Sequence, residues 1–272
     1  MAQNERQLQL FSFTVSADGA ALKEQRELMA RSWFSLQKKK RTQAIEHRFG
    51  DNWVRITGDS KHGLATISDS LILNFATSHY IDALNNGQEI GRRFGFTAYE
   101  FFAWIGKEKL GGSGYKTLWA ALERLHHTFV ETNIIVGDAR VHRSWNMLSS
   151  IDQTVALNGK HRGYEVIFPE FFFENIKNSK NVLTLDSGYF NLTSSLDKFL
   201  YLYARKSAGK DSWSESIESI YGKSASTGGL ANFKRYVKKV VDIDHGILGY
   251  EMALEGSTLV MKKRAGTALS GV

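Results

Sequence analysis

At 272 residues, with 35 Lys and Arg against 28 Asp and Glu for a net charge of +7, the chain is too long for one average domain and basic enough to favour an anionic partner. The absence of cysteine excludes disulfides, thiolate metal sites and cysteine nucleophiles, and suits a reducing compartment. No apolar run approaches the roughly 18 residues of a membrane span, and the opening MAQNERQLQLFSF is too polar for a signal peptide, so a cytoplasmic location with no membrane partner is expected.

The charge is unevenly spread: residues 1–64 and 192–272 each carry a net +4, and residues 65–191 carry −1. In chain order, GAALKEQRELMAR (19–31) reads as a short helix, Lys38, Lys39, Lys40 and Arg41 as a solvated basic run, and IEHRFGDNWVRITGD as a hairpin turning at Gly50 and Asp51. From Ser68 the period becomes helical, with Leu71, Ile72, Phe75, Ala76, His79, Ile81 and Leu84 on one stripe that stops at Asn85, Asn86 and Gly87. An extended RRFGFT follows, then a helix over 98–106, the Gly-rich turn KLGGSG, and a third helix, YKTLWAALERLHH. Thr128 to Val136 and Ser144 to Ile151 read as two strands joined by the polar GDARVHR.

About 115 residues later the order returns. Leu196, Phe199, Leu200, Leu202 and Tyr203 stripe a helix; DSWSE is extended; SIESIYG is a short helix; KSASTGG is a turn; LANFKRYVKKVVD is a long helix; and GYEMALEGSTLVMKKR is a hairpin turning at Gly256. Between the copies, GYEVIFPEFFFENIKNSKNVLTL supplies two strands around an aromatic helix. The economical reading is an α+β fold of two tandem winged helix-turn-helix domains: a basic segment over 1–64, a first domain with its connecting strand and helix over 65–191, a second over 192–264, and a disordered tail over 265–272.

In that plan the last helix enters the major groove, so its outward face must carry the chemistry. Advancing 100° per residue from Leu230 gathers Leu230, Phe233, Val237, Val240 and Val241 in one sector and turns Asn232, Arg235 and Lys239 the other way, with Lys238 beside them and Lys234 near the buried edge. Asn and Arg make bidentate bonds to adenine and guanine edges, and the lysines suit phosphates. The preceding turn adds Lys223, Ser224, Ser226 and Thr227 as phosphate donors. In the first copy Lys116 points outward with Trp119 and Arg124 flanking, Glu123 interrupts the face, and Arg140 and Arg143 sit on the hairpin, so double-stranded DNA affinity is expected mainly from the second copy.

Enzyme signatures are incomplete. Gly222, Lys223 and Ser224 lack the upstream glycine of a phosphate loop, since Ile217 occupies that place; Gly112, Ser113 and Gly114 meet Thr117 where a dinucleotide fingerprint needs glycine. Asp242 and Asp244 have no third acid, and no two histidines flank a single apolar residue as a rolling-circle nickase requires. His126 and His127 point about 100° apart. No catalysis, metal or cofactor is expected.

GLATISDSLILNFATSHYI, GRRFGFTAYEFFAWIGKEKLGGSGYKTLWAALERLHHTFVETNI, LTLDSGYFNLTSSLDKFLYLYARKSAG and GGLANFKRYVKKVVDIDHGILGYEMAL together resemble the plasmid replication initiator protein A family across most of residues 62–264. The resemblance implies two winged helices that bind repeated origin sites (iterons), open the origin for theta-type replication, recruit the host initiator and the replicative helicase, and repress their own gene as dimers. It also implies that residues 192–264 read the major groove while residues 65–153 contact backbone or a second subunit. The alternative is a winged-helix transcriptional repressor that only occupies an operator.

Overall fold

The computed structural model of the chain describes residues 13–14, 21–107, 112–136 and 139–265. The middle of the expected Gly-rich turn, the tip at 137–138 and the tail from residue 266 lie outside the described residues. The elements run β1 (Phe13–Thr14), β2 (Lys23–Gln25), α1 (Arg26–Ala30), β3 (Ile45–Phe49), β4 (Asn52–Gly58), α2 (Ser70–Asn85), β5 (Arg93–Phe96), α3 (Ala98–Trp104), α4 (Gly112–His126), β6 (Thr128–Val136) and β7 (Ala139–Asn146). They continue with β8 (Ser150–Val155), β9 (His161–Ile167), α5 (Glu170–Lys177), β10 (Val182–Thr184), α6 (Ser195–Ser207), β11 (Ser212–Ser216), α7 (Ile217–Ser224), α8 (Leu230–Asp244), β12 (Gly246–Ile247), β13 (Tyr250–Glu255) and β14 (Thr258–Lys263). No described helix is long and apolar enough to cross a membrane.

Local chemistry sets the helix ends. Thr97 and Glu100 form a reciprocal capping box that starts α3, and the Ser194 and Ser216 hydroxyls accept from the backbone N–H groups of Asp197 and Ser219 to start α6 and α7. Helix α8 ends at His245 in the left-handed region, followed by Gly246, where a Cβ would stand 1.8 Å from the Tyr250 carbonyl oxygen. Only glycine allows β12 and β13 to pair that closely.

Two copies of one arrangement emerge from the strand pairing. In the second, α6, β11, α7 and α8 are followed by the β13–β14 hairpin, and β11 pairs antiparallel with β14. In the first, α2, β5, α3 and α4 are followed by the inserted pair β6–β7 and then by the β8–β9 hairpin, and β5 pairs antiparallel with β9. The hairpin that closes the first copy is therefore built from residues 150–167, and not from residues 128–151 as the sequence order suggested. The run ARVHR, expected as a connector, is β-strand; it pairs β7 with β6, and β6 pairs in turn with β4, giving the four-stranded order β3-β4-β6-β7. Residues 21–64 thus share a sheet with the first copy instead of standing apart, although the hairpin turning at Gly50 and Asp51 lies where the sequence put it. The expected short helix over 19–31 is shorter in the described part: β2 followed by five helical residues.

One continuous core runs through the described chain. Phe75 of α2 meets Phe94, Phe96, Phe101 and Trp104 edge-on at ring separations of 5.3–5.7 Å. Helix α2 is buried nearly all round, because β2 lies on its polar side: Asn74 Nδ2 donates to the Lys23 carbonyl at 2.8 Å, and Lys23 N–H donates to Ser78 Oγ at 2.8 Å. Strand β2 also pairs with β10, which leads into the second copy. In the second copy Tyr201, Tyr250, Phe233, Leu259 and Met261 fill the space between the helices and the sheet.

Candidate nucleic-acid interface

Helix α8 is strongly two-sided. Phe233, Val237 and Val240 are buried, while Asn232, Arg235, Lys238 and Lys239 are exposed, and between residues 231 and 239 no acidic side chain occurs. Asn232 and Arg235 hold each other. Asn232 Nδ2 donates to the Gly228 carbonyl at 2.6 Å, which aims its Oδ1 outward to accept from Arg235 Nη2 at 2.8 Å. A guanidinium positioned this way loses less rotamer freedom on meeting a planar acceptor. Asn232, Arg235 and Lys239 line an open groove together with Leu196, Ser226, Gly228, Phe233 and Tyr236. Lys234 is paired with Glu218 of α7 and lies off this face.

The turn before α8 needs correction. Ser224 is fully buried; its hydroxyl donates to the Tyr221 carbonyl at 2.7 Å and accepts from Ser226 N–H at 3.1 Å, so it closes the turn and cannot meet a phosphate. Lys223 folds inward onto Glu215 and the Tyr203 hydroxyl, with its ammonium 5.2 Å from the Tyr203 ring centroid. Burial disfavours that charge, but the bonds to Glu215 and Tyr203 outweigh it and raise the Lys223 pKa. Burial likewise opposes ionisation of Glu215, yet hydrogen bonds from Lys223, Ser219, Tyr203 and Trp213 hold it at about 2. Both side chains are occupied in joining α6, β11 and α7.

Ser226 is half-buried and Thr227 exposed, with its hydroxyl accepting from Gln37. This contact belongs to an unforeseen brace. Arg41, buried rather than solvated, donates from Nη1 to the Ala225 carbonyl at 2.6 Å, while Nε and Nη2 donate to Gln43 and Ala44 carbonyls. Ala225 is left-handed (φ 53°), and Ser32 N–H donates to the Lys223 carbonyl at 2.8 Å. The segment 32–41 therefore fixes the turn that presents α8. The segment's Trp33 and Phe34 are core residues, and of its basic run, expected to be solvated, Arg41 is held inside the fold.

The first copy presents less. Arg124 is not free: Nε and Nη2 grip the buried Asp69 carboxylate at 2.8 and 2.7 Å, across α4 and the start of α2. Trp119 packs on Tyr164 of β9 with near-parallel rings. Lys116 is exposed. Arg140 reaches Asp51 at 3.7 Å, and Arg143 is exposed on β7; both belong to the β3-β4-β6-β7 sheet and not to the hairpin equivalent to β13–β14. That equivalent is β8–β9, and the sequence reading missed its side chains. Leu157 at its tip is wholly exposed, Lys160 and Arg162 are exposed, and His161 stacks on Tyr115 of α4 at 4.6 Å. The segment GYEVIF reads as a strand in the sequence, but its pairing with β5 is set by the fold.

A model of the family described as replication initiator protein A matches residues 23–252. The chain belongs to the replication initiator protein A family. The family match begins in β2, consistent with a family fold that includes the brace. A relative in Wigglesworthia glossinidia brevipalpis named "Putative replication protein" is 32% identical over 184 residues, which span 66% of this chain and 66% of that one. Among solved structures, domains 2 and 3 of RctB superpose with a TM-score of 0.62 over 89% of this chain and 99% of theirs, at 11% identity. A second structure of RctB domains 2–3 gives 0.50 over 88% and 96%, at 12% identity. At such identities the likeness establishes a shared mixed α and β fold for this initiator-family chain.

Proposed function

We propose that this chain is a plasmid replication initiator built on two winged helices, binding repeated origin sites in double-stranded DNA chiefly through α8. The single observation that carries the reading is the exposed Asn232, Arg235, Lys238 and Lys239 face, free of acids and opposite a fully buried stripe. Placed in the major groove, Asn232 and Arg235 on the N-terminal half meet base edges, and Lys238 and Lys239 meet phosphates. The first winged helix follows the backbone with Lys116 on α4 and Lys160 and Arg162 on the β8–β9 wing. Family membership supports the initiator role, and with it recruitment of the host initiator and helicase and self-repression as a dimer. We assign no catalytic step to the chain.

The test is anisotropy titration of the full chain on direct repeats of about 20 base pairs beside its gene and on scrambled duplexes, with permanganate footprinting of the adjacent A·T-rich segment. Salt-sensitive preference for the repeats together with thymine reactivity is the expected result. Binding to an inverted operator without any opening reduces the reading to the repressor, and equal affinity for both duplexes removes α8 as a reading helix.

A further inference from the structure

We propose that Asp59, His62 and His127 form a binding site for a transition-metal dication of the zinc class. The donors come from two places distant in sequence: the loop after β4 and the residue that joins α4 to β6. His62 Nδ1 lies 2.7 Å and His127 Nδ1 3.2 Å from the same oxygen, Asp59 Oδ2, and the two imidazoles stack at 4.2 Å so that both Nδ1 atoms face one point. Ligands of a tetrahedral zinc stand about 3.3 Å apart, so seating an ion requires His62 Nδ1 and Asp59 Oδ2, now 2.7 Å apart, to separate by about half an ångström and the two stacked rings to turn until their in-plane lone pairs converge. Two imidazoles and one carboxylate suit zinc-like ions and disfavour magnesium, which takes oxygen ligands. The fourth position is left for water or an exogenous donor.

A second observation points the same way. His62 Nε2 is enclosed and has no hydrogen-bond partner, and it faces Glu123 Oε1 at 3.9 Å. With its proton on Nδ1, bonded to Asp59, the ring turns a lone pair toward that carboxylate, an unfavourable arrangement. A metal on Nδ1 selects the other tautomer, in which the ring's one proton sits on Nε2 and is donated to Glu123. This is the carboxylate–histidine–metal pattern that orients ligating histidines. The loop is already fixed: His62 N–H donates to Asp59 Oδ1 at 2.5 Å, Gly63 N–H to the Asp59 carbonyl at 3.0 Å, and at Gly58 a Cβ would stand 2.4 Å from the Gly63 carbonyl carbon. His126 takes no part, since its Nδ1 bonds the Leu148 carbonyl on the other side of α4. A bound ion would tie the β4 loop to the C-terminal end of α4.

The full chain, freed of metal by chelator and dialysis, is titrated with Zn²⁺ by calorimetry and with Co²⁺ by visible absorption. Expected are one ion per chain, a d–d band of a tetrahedral nitrogen and oxygen site, and binding that weakens in acid as protons compete for the donors. Asp59→Asn and His127→Ala should each abolish the band, Glu123→Gln should weaken binding about 10- to 100-fold, and His142→Ala, on an exposed strand, should change nothing. Far-ultraviolet dichroism reports whether each variant folds; should His127→Ala unfold, Asp59→Asn and His62→Gln carry the same reading. No saturable Zn²⁺ binding to the wild-type chain, or binding that survives Asp59→Asn and His62→Gln, overturns the site.

Discussion

The two copies share a plan but spend their charges differently. In the second, the cations at residues 235, 238 and 239 of α8 are exposed, and the ion pairs that hold the unit together use other cations, Lys223 with Glu215 and Lys234 with Glu218. In the first, the cation in the corresponding helix is drawn in: Arg124 of α4 is locked on Asp69, and the exposed basic groups are left to Lys116 and the β8–β9 hairpin. A basic residue on a helix is thus a ligand contact only if no buried acid claims it first. Cations on the two helices take opposite roles because the acid that claims Arg124, Asp69, comes from another element.

The sharpest way to break this comparison is Arg124→Ala. It leaves the Asp69 carboxylate, 5% exposed, with the Thr66 N–H donating to it but no guanidinium opposite, and should cost about 3 kcal/mol in urea unfolding. Its effect on DNA affinity, at a temperature where the variant is folded, should be small. A stable variant with a large affinity loss would return Arg124 to the interface.

Smaller, and opposite in kind, is Arg235→Ala. It should leave the unfolding midpoint unchanged, cost about 1–3 kcal/mol on the specific site and relax preference at one base pair. Lys239→Ala on the same helix should weaken specific and scrambled duplexes alike and lower the logarithmic salt slope by about 0.9. If both variants bind as the wild type does, α8 does not read DNA and the contrast between the copies falls.

The smallest expected effect concerns Lys223. Because the folded pKa of Glu215 is about 2 against an ordinary 4.5, its ionised form is favoured by folding; that stabilisation is present above pH 4.5 and is lost as pH falls toward 2. Lys223→Ala removes one of the groups that hold the carboxylate and should lower stability at pH 7 by about 1.5 kcal/mol, with the gap to the wild type closing across that acid window. DNA binding should follow stability only. A salt-slope change in Lys223→Ala would show instead a phosphate contact.

Much of the local architecture could be read in the sequence because it depends on near neighbours. The stripe from Leu71 to Leu84 predicts α2, YKTLWAALERLHH and LANFKRYVKKVVD predict α4 and α8, although α4 starts three residues earlier at Gly112, and the 100° rotation separates Phe233 and Val237 from Arg235 and Lys239, as the burial shows. Side-chain period is a property of consecutive residues, so it survives whatever packs against it. What the period cannot give is the partner. Alternation marked β6 as a strand but not that β4 lies beside it, and it gave β9 without β5, so the closing hairpin of the first copy was placed about twenty residues too early. The residues on that hairpin, Lys160 and Arg162, were lost with it.

The same reason divides the site. The sequence by itself determined the two-sided α8, the repeated element order and the surplus of positive charge, all of which follow from residue type and spacing. Only the tertiary structure decided that Arg124 and Lys223 are occupied, that Ser224 is buried, that Arg41 braces the turn at Ala225, and that Asp59 and His62 meet His127 across 65 residues of chain. Electrostatic and hydrogen-bonding partners are chosen by distance in space, and chain folding sets that distance with no trace in local composition.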